Sequence, residues 1–260
     1  MDVATPSLRV VPLERDADMD RYGLFCVANR RHPGVVAKRA WLRERFAEGL
    51  RFILLLTPDD TPAGFLEYAP AEVTWRAVHA PGYLVIHCLW VNPKKAGGPG
   101  GASHLLEHAL RDAAGHGFAG LAVVASDGPW MAGPAVYGKY GFAAVDRAEP
   151  HFHLLTRKAD ADAPNPAFPT DWGERRRRWR DLTLLYTNQC PFIGKAVQEL
   201  PPVAEAHGMT LRLRELNVPS EARALWPSPY GMINLLYRGR VLADHPISAT
   251  RFRNILEREL

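Results

Sequence analysis

The sequence predicts an α/β (α+β) protein built from two domains, and three observations lead to this fold class. Strand and helix patterns alternate along most of the 260 residues. A glycine-rich stretch separates a hydrophobic run from an evident helix, as in many α/β proteins. A proline-rich segment with no apolar periodicity then divides the chain. We therefore expect domains at 1–157 and 182–260, joined by a linker at 158–181.

Composition narrows the class of protein. Hydrophobic residues make up 47% and charged residues 23%, and no run of 18 apolar residues predicts a membrane span. The N-terminal "MDVATPSLRVV" lacks the pattern of a signal peptide. Three scattered cysteines argue against a disulfide framework and predict a reducing, cytoplasmic location. Much of the net charge of +4 comes from the run "RRRRWR". We interpret this run as a solvated linker rather than as a nucleic-acid-binding surface.

Each element of the first part follows from its local pattern. "LRVVPLE" predicts a strand, and residues 16–49 are mostly helical with an interruption at "RRHPGV". "RFILLLT" and "AGFLEYA" predict two strands joined by the turn "PDDTP". "GYLVIHCLWV" predicts a long central strand, and the apolar spacing from Ala102 predicts a helix that ends at Gly115 or Gly117. "GLAVVAS", "AVYGKYGF" and "HFHLLTR" predict a strand, a short helix and a closing strand.

The second part alternates in the same way. "LTLLY" predicts a strand, and residues 190–207 predict a helix with Pro191 at its first position and an interruption at Pro201–Pro202. "LRLREL" predicts a strand and "SEARAL" a short helix. "INLLY" and "RVL" predict two strands around a turn, and "SATRFRNILEREL" predicts a final amphipathic helix.

The glycine-rich stretch predicts an anion site. In "LWVNPKKAGGPGGASHLLEHALRDAAG" bare backbone precedes a helix N-terminus, where free N–H groups and the helix dipole favour a phosphate group. Lys94 and Lys95 would reinforce that site. The alternative is a flexible connection without a ligand. A P-loop is excluded because no Gly-Lys-Ser/Thr follows, and the Rossmann fingerprint fits poorly.

Two ordered motifs resemble the GNAT superfamily of acyl-CoA-dependent N-acetyltransferases over about residues 8–157. The first is the strand, "NP" and glycine loop, which fits the family pattern as Gly97-x-x-Gly100-x-Ala102 or as Lys95-x-x-Gly98-x-Gly100. The second is "VYGKYGF", which matches Tyr-x-Lys-x-Gly-Phe. The resemblance implies the GNAT fold with a mixed central sheet, and acetyl-CoA as co-substrate.

The resemblance also implies site residues. Tyr137 would be the acid that protonates the leaving thiolate, or else it packs against the following Gly-Phe. His87, which we place on the same strand face as Val91, would be the base. Glu67, a water chain or a purely structural histidine are the alternatives, and Cys88 is expected in the core. Ser126-Asp127 stands after the next strand, where the superfamily often has an asparagine that binds pantetheine. Cofactor-binding residues would be Leu89, Trp90 and Val91 for pantetheine, with Lys95, Gly97, Gly98, Gly100, Gly101, Ala102 and Ser103 for the pyrophosphate.

The second domain has the element order of a thioredoxin-like domain, with Cys190 at a strand-to-helix turn in "YTNQCPF". Ile193 stands where a second cysteine would be needed for dithiol chemistry. Together with "WVNPKKAGG" and "PYGMINLLYRGRVL", the whole chain resembles GNAT proteins with a C-terminal YoaP-like domain. Cys190 is therefore a candidate reactive thiol, and a structural cysteine is the alternative.

The predicted function is transfer of an acetyl group from acetyl-CoA to the amine of a small molecule. The alternative is a sensor in which the acyltransferase fold binds CoA or an acyl-CoA without turnover and the Cys190 domain responds to a ligand or to a thiol state. No metal, nucleic-acid or membrane partner is expected. The acceptor and the oligomeric state stay open.

Overall fold

A computed structural model describes residues 8–260; the N-terminal segment, where no signal peptide is predicted, lies mostly outside the described residues. The chain forms two compact units. The first comprises residues 8–30, 42–74 and 79–167, and the second comprises residues 31–41, 75–78 and 168–260. No helix within residues 8–260 is long and apolar enough to cross a membrane.

The first unit contains a seven-stranded mixed sheet in the order β1-β2-β3-β4-β5-β7-β6. Only the β4–β5 pair within it is parallel. Helix α2 begins in residues that are grouped with the second unit and ends in the first. The elements in chain order are β1 (Arg9–Leu13), α1 (Asp16–Tyr22), α2 (Pro33–Ala47), β2 (Arg51–Leu56), β3 (Pro62–Pro70), β4 (Leu84–Val91), α3 (Gly101–Gly115), β5 (Gly120–Ser126), α4 (Pro134–Gly138), β6 (Ala143–Ala148) and β7 (Phe152–Lys158).

Helix α3 covers one face of this sheet and sets the core. Leu105, Leu106 and Ala109 are buried against residues of β2 to β5, because their spacing places them on one side of the helix. The face of the sheet opposite α3 carries Phe52 and Phe65, whose rings stack at 5.0 Å. The predicted α/β class is confirmed. Strand β6 was not predicted; it is an edge strand of mixed, partly exposed residues.

The second unit has a four-stranded sheet in the order β11-β10-β8-β9, with β8 and β9 parallel. Helix α6 begins at Ile193, so the prediction that Pro191 is its first residue is wrong. It also continues through Pro201–Pro202, which were expected to interrupt it. The elements are α5 (Trp172–Arg177), β8 (Thr183–Tyr186), α6 (Ile193–Ala206), β9 (Arg212–Glu215), α7 (Pro219–Leu225), β10 (Ile233–Tyr237), β11 (Arg240–Ala243) and α8 (Ala249–Arg258).

The arginine run is only in part the solvated segment that the sequence predicted: Arg177, Arg178 and Arg180 are exposed, but the start of the run is not. Residues 172–177 form α5, and Arg175 is buried. The guanidinium of Arg175 donates to the Asp171 carboxylate and to the backbone oxygen of Arg223. Arg176 donates to the Pro227 oxygen at 3.0 Å. Arg175 and Arg176 therefore pack within the second unit.

Candidate active site

The loop between β4 and α3 is folded by its own polar groups. Asn92 Oδ1 accepts hydrogen bonds from the amides of Lys94 and Lys95, at 3.1 and 3.3 Å. The Gly98 amide donates to the Pro93 oxygen at 2.9 Å. An asparagine that bonds the amides two and three residues ahead holds a tight turn. The loop therefore has a defined conformation and is not a flexible connection.

The glycines of this loop have two different tasks. Gly97, Gly98 and Gly100 adopt φ values of 74°, 133° and 103°, and a Cβ at any of them would meet nothing within 4 Å. Such positions leave bare backbone facing open space. Gly101 differs, because a Cβ there would lie 2.9 Å from Val91 Cγ1 and 3.0 Å from Leu55 Cδ2. Gly101 thus allows the start of α3 to pack closely on the sheet.

Helix α3 begins at Gly101 directly after this open backbone. The first amides of an α-helix have no partner within the helix and carry the positive end of its dipole. The amide and the hydroxyl of Ser103 both donate to the backbone oxygen of Gly100, at 3.0 and 2.6 Å. Both ways of counting the family motif fall within this loop and first turn.

Strands β4 and β5 part beside this loop. Their parallel pairing covers Leu84–Ile86 on β4, although β4 runs on to Val91. On its other edge, β4 stays paired with β3 as far as Val91. The N–H and C=O groups of residues 89–91 that point toward β5 are therefore open to a ligand with amide groups. The pantetheine arm of coenzyme A is such a ligand.

A β-bulge at His87 changes which face of the sheet the later side chains of β4 point to. Glu67 pairs with Cys88 and Tyr68 with Ile86, which leaves His87 as the extra residue. Before the bulge Ile86 packs under α3, and after it Leu89 and Val91 do so. The expectation that His87 shares a face with Val91 is wrong, because the extra residue breaks the alternation. Cys88 is only partly buried, so its predicted core position is also wrong.

The bulge brings the two candidate bases together. His87 Nδ1 lies 3.3 Å from Glu67 Oε1, and His87 Nε2 lies 2.9 Å from the Thr74 hydroxyl. All three side chains are buried. Because Nδ1 faces the carboxylate, the neutral imidazole carries its proton on Nδ1 and donates it in a hydrogen bond to Glu67. The unprotonated Nε2 then faces the Thr74 hydroxyl. The three form one polar chain on the sheet face opposite α3.

Tyr137 lies in α4 and is buried in the cluster that also holds Ile86 and Leu105. Its ring packs edge-on against Phe142, with 5.5 Å between centroids. The contact with the Gly-Phe that follows is therefore present. It fixes the ring, and a fixed phenol beside the β4 cluster stays a candidate acid.

Two residues that contact the candidate site were not predicted from the sequence. Thr74 follows a short 3₁₀ turn and carries no motif that would have marked it. Phe25, in the segment between α1 and α2, adopts φ 63° and packs against Trp90, the exposed aromatic of β4. The Lys95 ammonium lies 5.8 Å from the Phe25 ring centroid. A positive φ at a phenylalanine marks a strained position that no local sequence pattern announces.

In the second unit, Cys190 lies in the turn between β8 and α6. Its backbone oxygen accepts from the Ile193 amide at 3.1 Å. The preceding Gln189 oxygen accepts from the ammonium of Lys38, a buried lysine, at 2.7 Å. Cys26, Cys88 and Cys190 are all partly buried, so burial does not distinguish Cys190 from the other two cysteines. Within residues 8–260 no group of three or more His, Cys, Asp or Glu could hold a metal.

Comparisons with known proteins found a curated relative and several similar solved structures. The chain is 28% identical over 221 residues to the uncharacterized N-acetyltransferase YoaP of Bacillus subtilis (strain 168), covering 84% of this chain and 86% of the relative. Two similar solved structures are the GNAT family N-acetyltransferase YhbS from Escherichia coli in complex with CoA (17% identity, 64% of this chain and 93% of that one, TM-score 0.43) and the PaiA N-acetyltransferase from Thermoplasma acidophilum in complex with coenzyme A (15%, 58% and 99%, 0.36). No protein-family model matches.

The sheet order, the parting of β4 from β5 and the glycine loop define a GNAT-type acyltransferase fold. The chain is also similar to the YoaP N-acetyltransferase over most of the length of both proteins.

Proposed function

We propose that this protein transfers the acetyl group of acetyl-CoA to the amine of a small molecule that binds on the sheet face opposite α3. The observation that carries the proposal is the parting of β4 from β5 next to an open glycine loop. Such a split gives the cofactor access to the middle of the sheet from the α3 side. The candidate proton acceptors Glu67 and His87 lie on the opposite face of the sheet.

The cofactor site consists mainly of backbone. The open edge of Leu89–Val91 would hold the pantetheine amides, and the loop amides with Lys95 would hold the pyrophosphate. Acetyl-CoA supplies an activated acyl group when bound. The chain's own residues supply position, a proton acceptor for the amine and a proton donor for the thiolate.

We assign the proton acceptor to the chain Thr74–His87–Glu67. An ammonium must lose a proton before its nitrogen can attack a carbonyl carbon. Because the Thr74 hydroxyl lies at His87 Nε2, a proton reaches the imidazole through that hydroxyl. The Glu67 carboxylate at Nδ1 then stabilises the imidazolium. Tyr137 is the proposed donor to the thiolate.

The experiment measures product formation with acetyl-CoA across a panel of small amines, by mass spectrometry of the acetylated amine. The matched pair Thr74→Ser and Thr74→Val tests the proton route on the best amine. Serine keeps the hydroxyl and should stay within a few-fold of wild type, whereas valine should lower kcat by ~10²-fold.

Absence of product with every amine, despite CoA binding, would contradict the proposed transfer and support the sensor alternative. Equal activity of the two Thr74 variants would remove Thr74 from the proton route while leaving the transfer itself intact.

The second unit is proposed to be a thioredoxin-like domain with a single cysteine. The support is its order β8-α6-β9-α7-β10-β11-α8, in which the first two strands are parallel and the third is antiparallel to the first. A thiol just before a helix can form a mixed disulfide with a small thiol by exchange with an existing disulfide. Mass spectrometry after incubation with oxidised glutathione would detect an adduct on Cys190, and its absence would favour a structural cysteine.

A further inference from the structure

We propose that the acceptor is an aromatic amine with a short alkyl linker, and that the indole of Trp90 binds its ring. The inference rests on the proposed acetyl transfer and names the class of amine that this site takes. It starts from an exposed aromatic side chain on a central strand. Trp90 is 44% exposed, although β4 pairs with β3 along one edge and with β5 along part of the other.

Trp90 lies within reach of the reacting end of the cofactor. A pantetheine arm that enters from the glycine loop would follow β4 backwards from Val91. Its thiol end would reach the start of the gap next to Cys88, since β4 and β5 stay paired up to Ile86. Residues two apart on a strand are roughly 7 Å apart. An amine that attacks the thioester at the level of Cys88 therefore has its body at the level of Trp90.

The side chains of Cys88 and Trp90 point to the face of the sheet opposite α3. They alternate with Leu89 and Val91, which pack under that helix. Cys88 is partly buried and Trp90 is exposed, so both present surface that a ligand can contact. A ligand can therefore contact both side chains from one side of the sheet.

The strand ends that border the gap carry no charged side chain. On β5, Val123 and Ala125 belong to the core under α3, so Val124 and Ser126 point to the opposite face, where both are buried. Neither residues 88–91 of β4 nor residues 124–126 of β5 include an acidic or a basic residue. A second ammonium on the ligand would find no carboxylate on either strand end, which favours an uncharged body.

Trp90 is the exposed end of a cluster of aromatic rings. The Phe25 ring packs edge-on against it, with 5.1 Å between centroids, and lies 6.1 Å from the ring of Phe65, which stacks on Phe52. The indole therefore has fixed neighbours and loses little freedom when a ligand ring binds. Offset or edge-to-face contact between rings also favours an aromatic ligand over a saturated one of the same size.

The backbone of Phe25 supports a binding role for this cluster. Its φ of 63° is a left-handed conformation that bulky residues rarely adopt. Strained positions of this kind persist where the surrounding structure holds them, and they concentrate at ligand-binding sites. Here the strained residue holds its ring against Trp90, so the strain coincides with the surface proposed to bind the acceptor.

Four amines test the proposal, each assayed with saturating acetyl-CoA: 2-phenylethylamine, 2-cyclohexylethylamine, cadaverine and the reference butylamine. The kcat/KM for 2-phenylethylamine is expected to exceed that for 2-cyclohexylethylamine, which has the same skeleton without the planar ring, by about fivefold. Cadaverine, with its second ammonium, should have the lowest value.

Two variants of Trp90 test the residue itself. Trp90→Leu should lower the ratio of kcat/KM for 2-phenylethylamine over butylamine by about fivefold, whereas Trp90→Phe keeps a ring and should retain most of that ratio. The ratio compares two amines on one enzyme, so any effect of the substitution on cofactor binding cancels.

A kcat/KM for 2-cyclohexylethylamine or cadaverine that equals or exceeds that for 2-phenylethylamine would overturn the proposal and leave the acetyl transfer intact. So would an unchanged ratio in Trp90→Leu. Absence of acetylation of every amine would instead overturn both the aromatic acceptor and the acetyl transfer on which it rests.

Discussion

The ring of Phe25 packs edge-on against the indole of Trp90, with 5.1 Å between the ring centroids. This contact ties the segment between α1 and α2 to the end of β4, whose backbone is the proposed pantetheine site. Lys95, in the glycine loop, lies over the same phenylalanine ring. One side chain thus links the strand edge and the loop.

Removing that ring should weaken cofactor binding. We expect Phe25→Ala to raise the Kd for CoA about tenfold, roughly 1.4 kcal/mol, since Trp90 and Lys95 both lose a packing partner. Phe25→Asn is the matched control. Asparagine also lacks the ring but tolerates the positive φ, so a similar loss of affinity in both variants would come from the ring and not from backbone strain. Calorimetry with CoA measures both. Wild-type affinity in Phe25→Ala would show that the ring does not support the site.

The two kinds of loop glycine should respond differently to substitution. Gly98→Val and Gly100→Val place side chains on the open surface and should weaken CoA binding tenfold or more. Gly101→Ala forces a methyl group against Val91 and Leu55, so it should cost about 1–3 kcal/mol of folding stability.

Calorimetry and urea unfolding on the same preparations separate the two effects. Unchanged CoA affinity in both valine variants would refute the assignment of the loop to the pyrophosphate.

Tyr137 is predicted to donate a proton to the departing thiolate. Tyr137→Phe should lower kcat by ~10²-fold with little change in CoA affinity, because the ring still packs on Phe142. Tyr140→Phe, three residues away and only partly buried, is the control and should keep wild-type turnover. Steady-state kinetics at saturating acetyl-CoA give the answer; full activity in Tyr137→Phe would leave packing as the residue's only role.

His108 should make stability depend on pH. Burial lowers its pKa in the folded state, while Asp112 opposes and Arg111 adds to the shift. The unfolded chain, with a pKa of about 6.5, therefore binds more protons just below that pH, so this contribution to stability falls as the solution is acidified. Urea unfolding at pH 7.5 and pH 5.5 should show a larger loss in wild type than in His108→Gln. An equal loss in both proteins would exclude His108 as the source.

Cys190 is expected to alkylate fastest of the three cysteines near neutral pH. It precedes the 14-residue helix α6, whose dipole favours a thiolate at that end. Brief iodoacetamide treatment followed by peptide mass spectrometry measures the three rates, and Cys190→Ser should leave the other two unchanged. If Cys190 lags behind Cys26 and Cys88, the thiol is not activated.

Local patterns were enough to predict most elements of the first sheet. Strands β2, β3 and β5 are long apolar runs, and α3 has an unbroken helical face. Strand β6 and helix α5 escaped prediction because both depend on tertiary contacts. The first lies at the edge of a sheet, and the second is held by backbone acceptors more than forty residues away.

The site was predictable where it consists of backbone and not where it depends on side-chain direction. Glycine spacing located the loop, since positive φ values demand that residue. The bulge at His87 could not be predicted, because it arises from the register between β3 and β4 rather than from residues of either strand alone. The same register brought His87 and Glu67, treated as alternatives from sequence, into contact.

The parting of β4 from β5 has a consequence for folding as well as for catalysis. Between Val91 and Ser126 the sheet contains an internal pair of edges, and edges with unused hydrogen-bonding groups invite pairing with other chains. A pantetheine arm bound there, as we propose, would act as a temporary substitute strand. An occupied gap should thus protect the protein from self-association as well as prepare it for turnover.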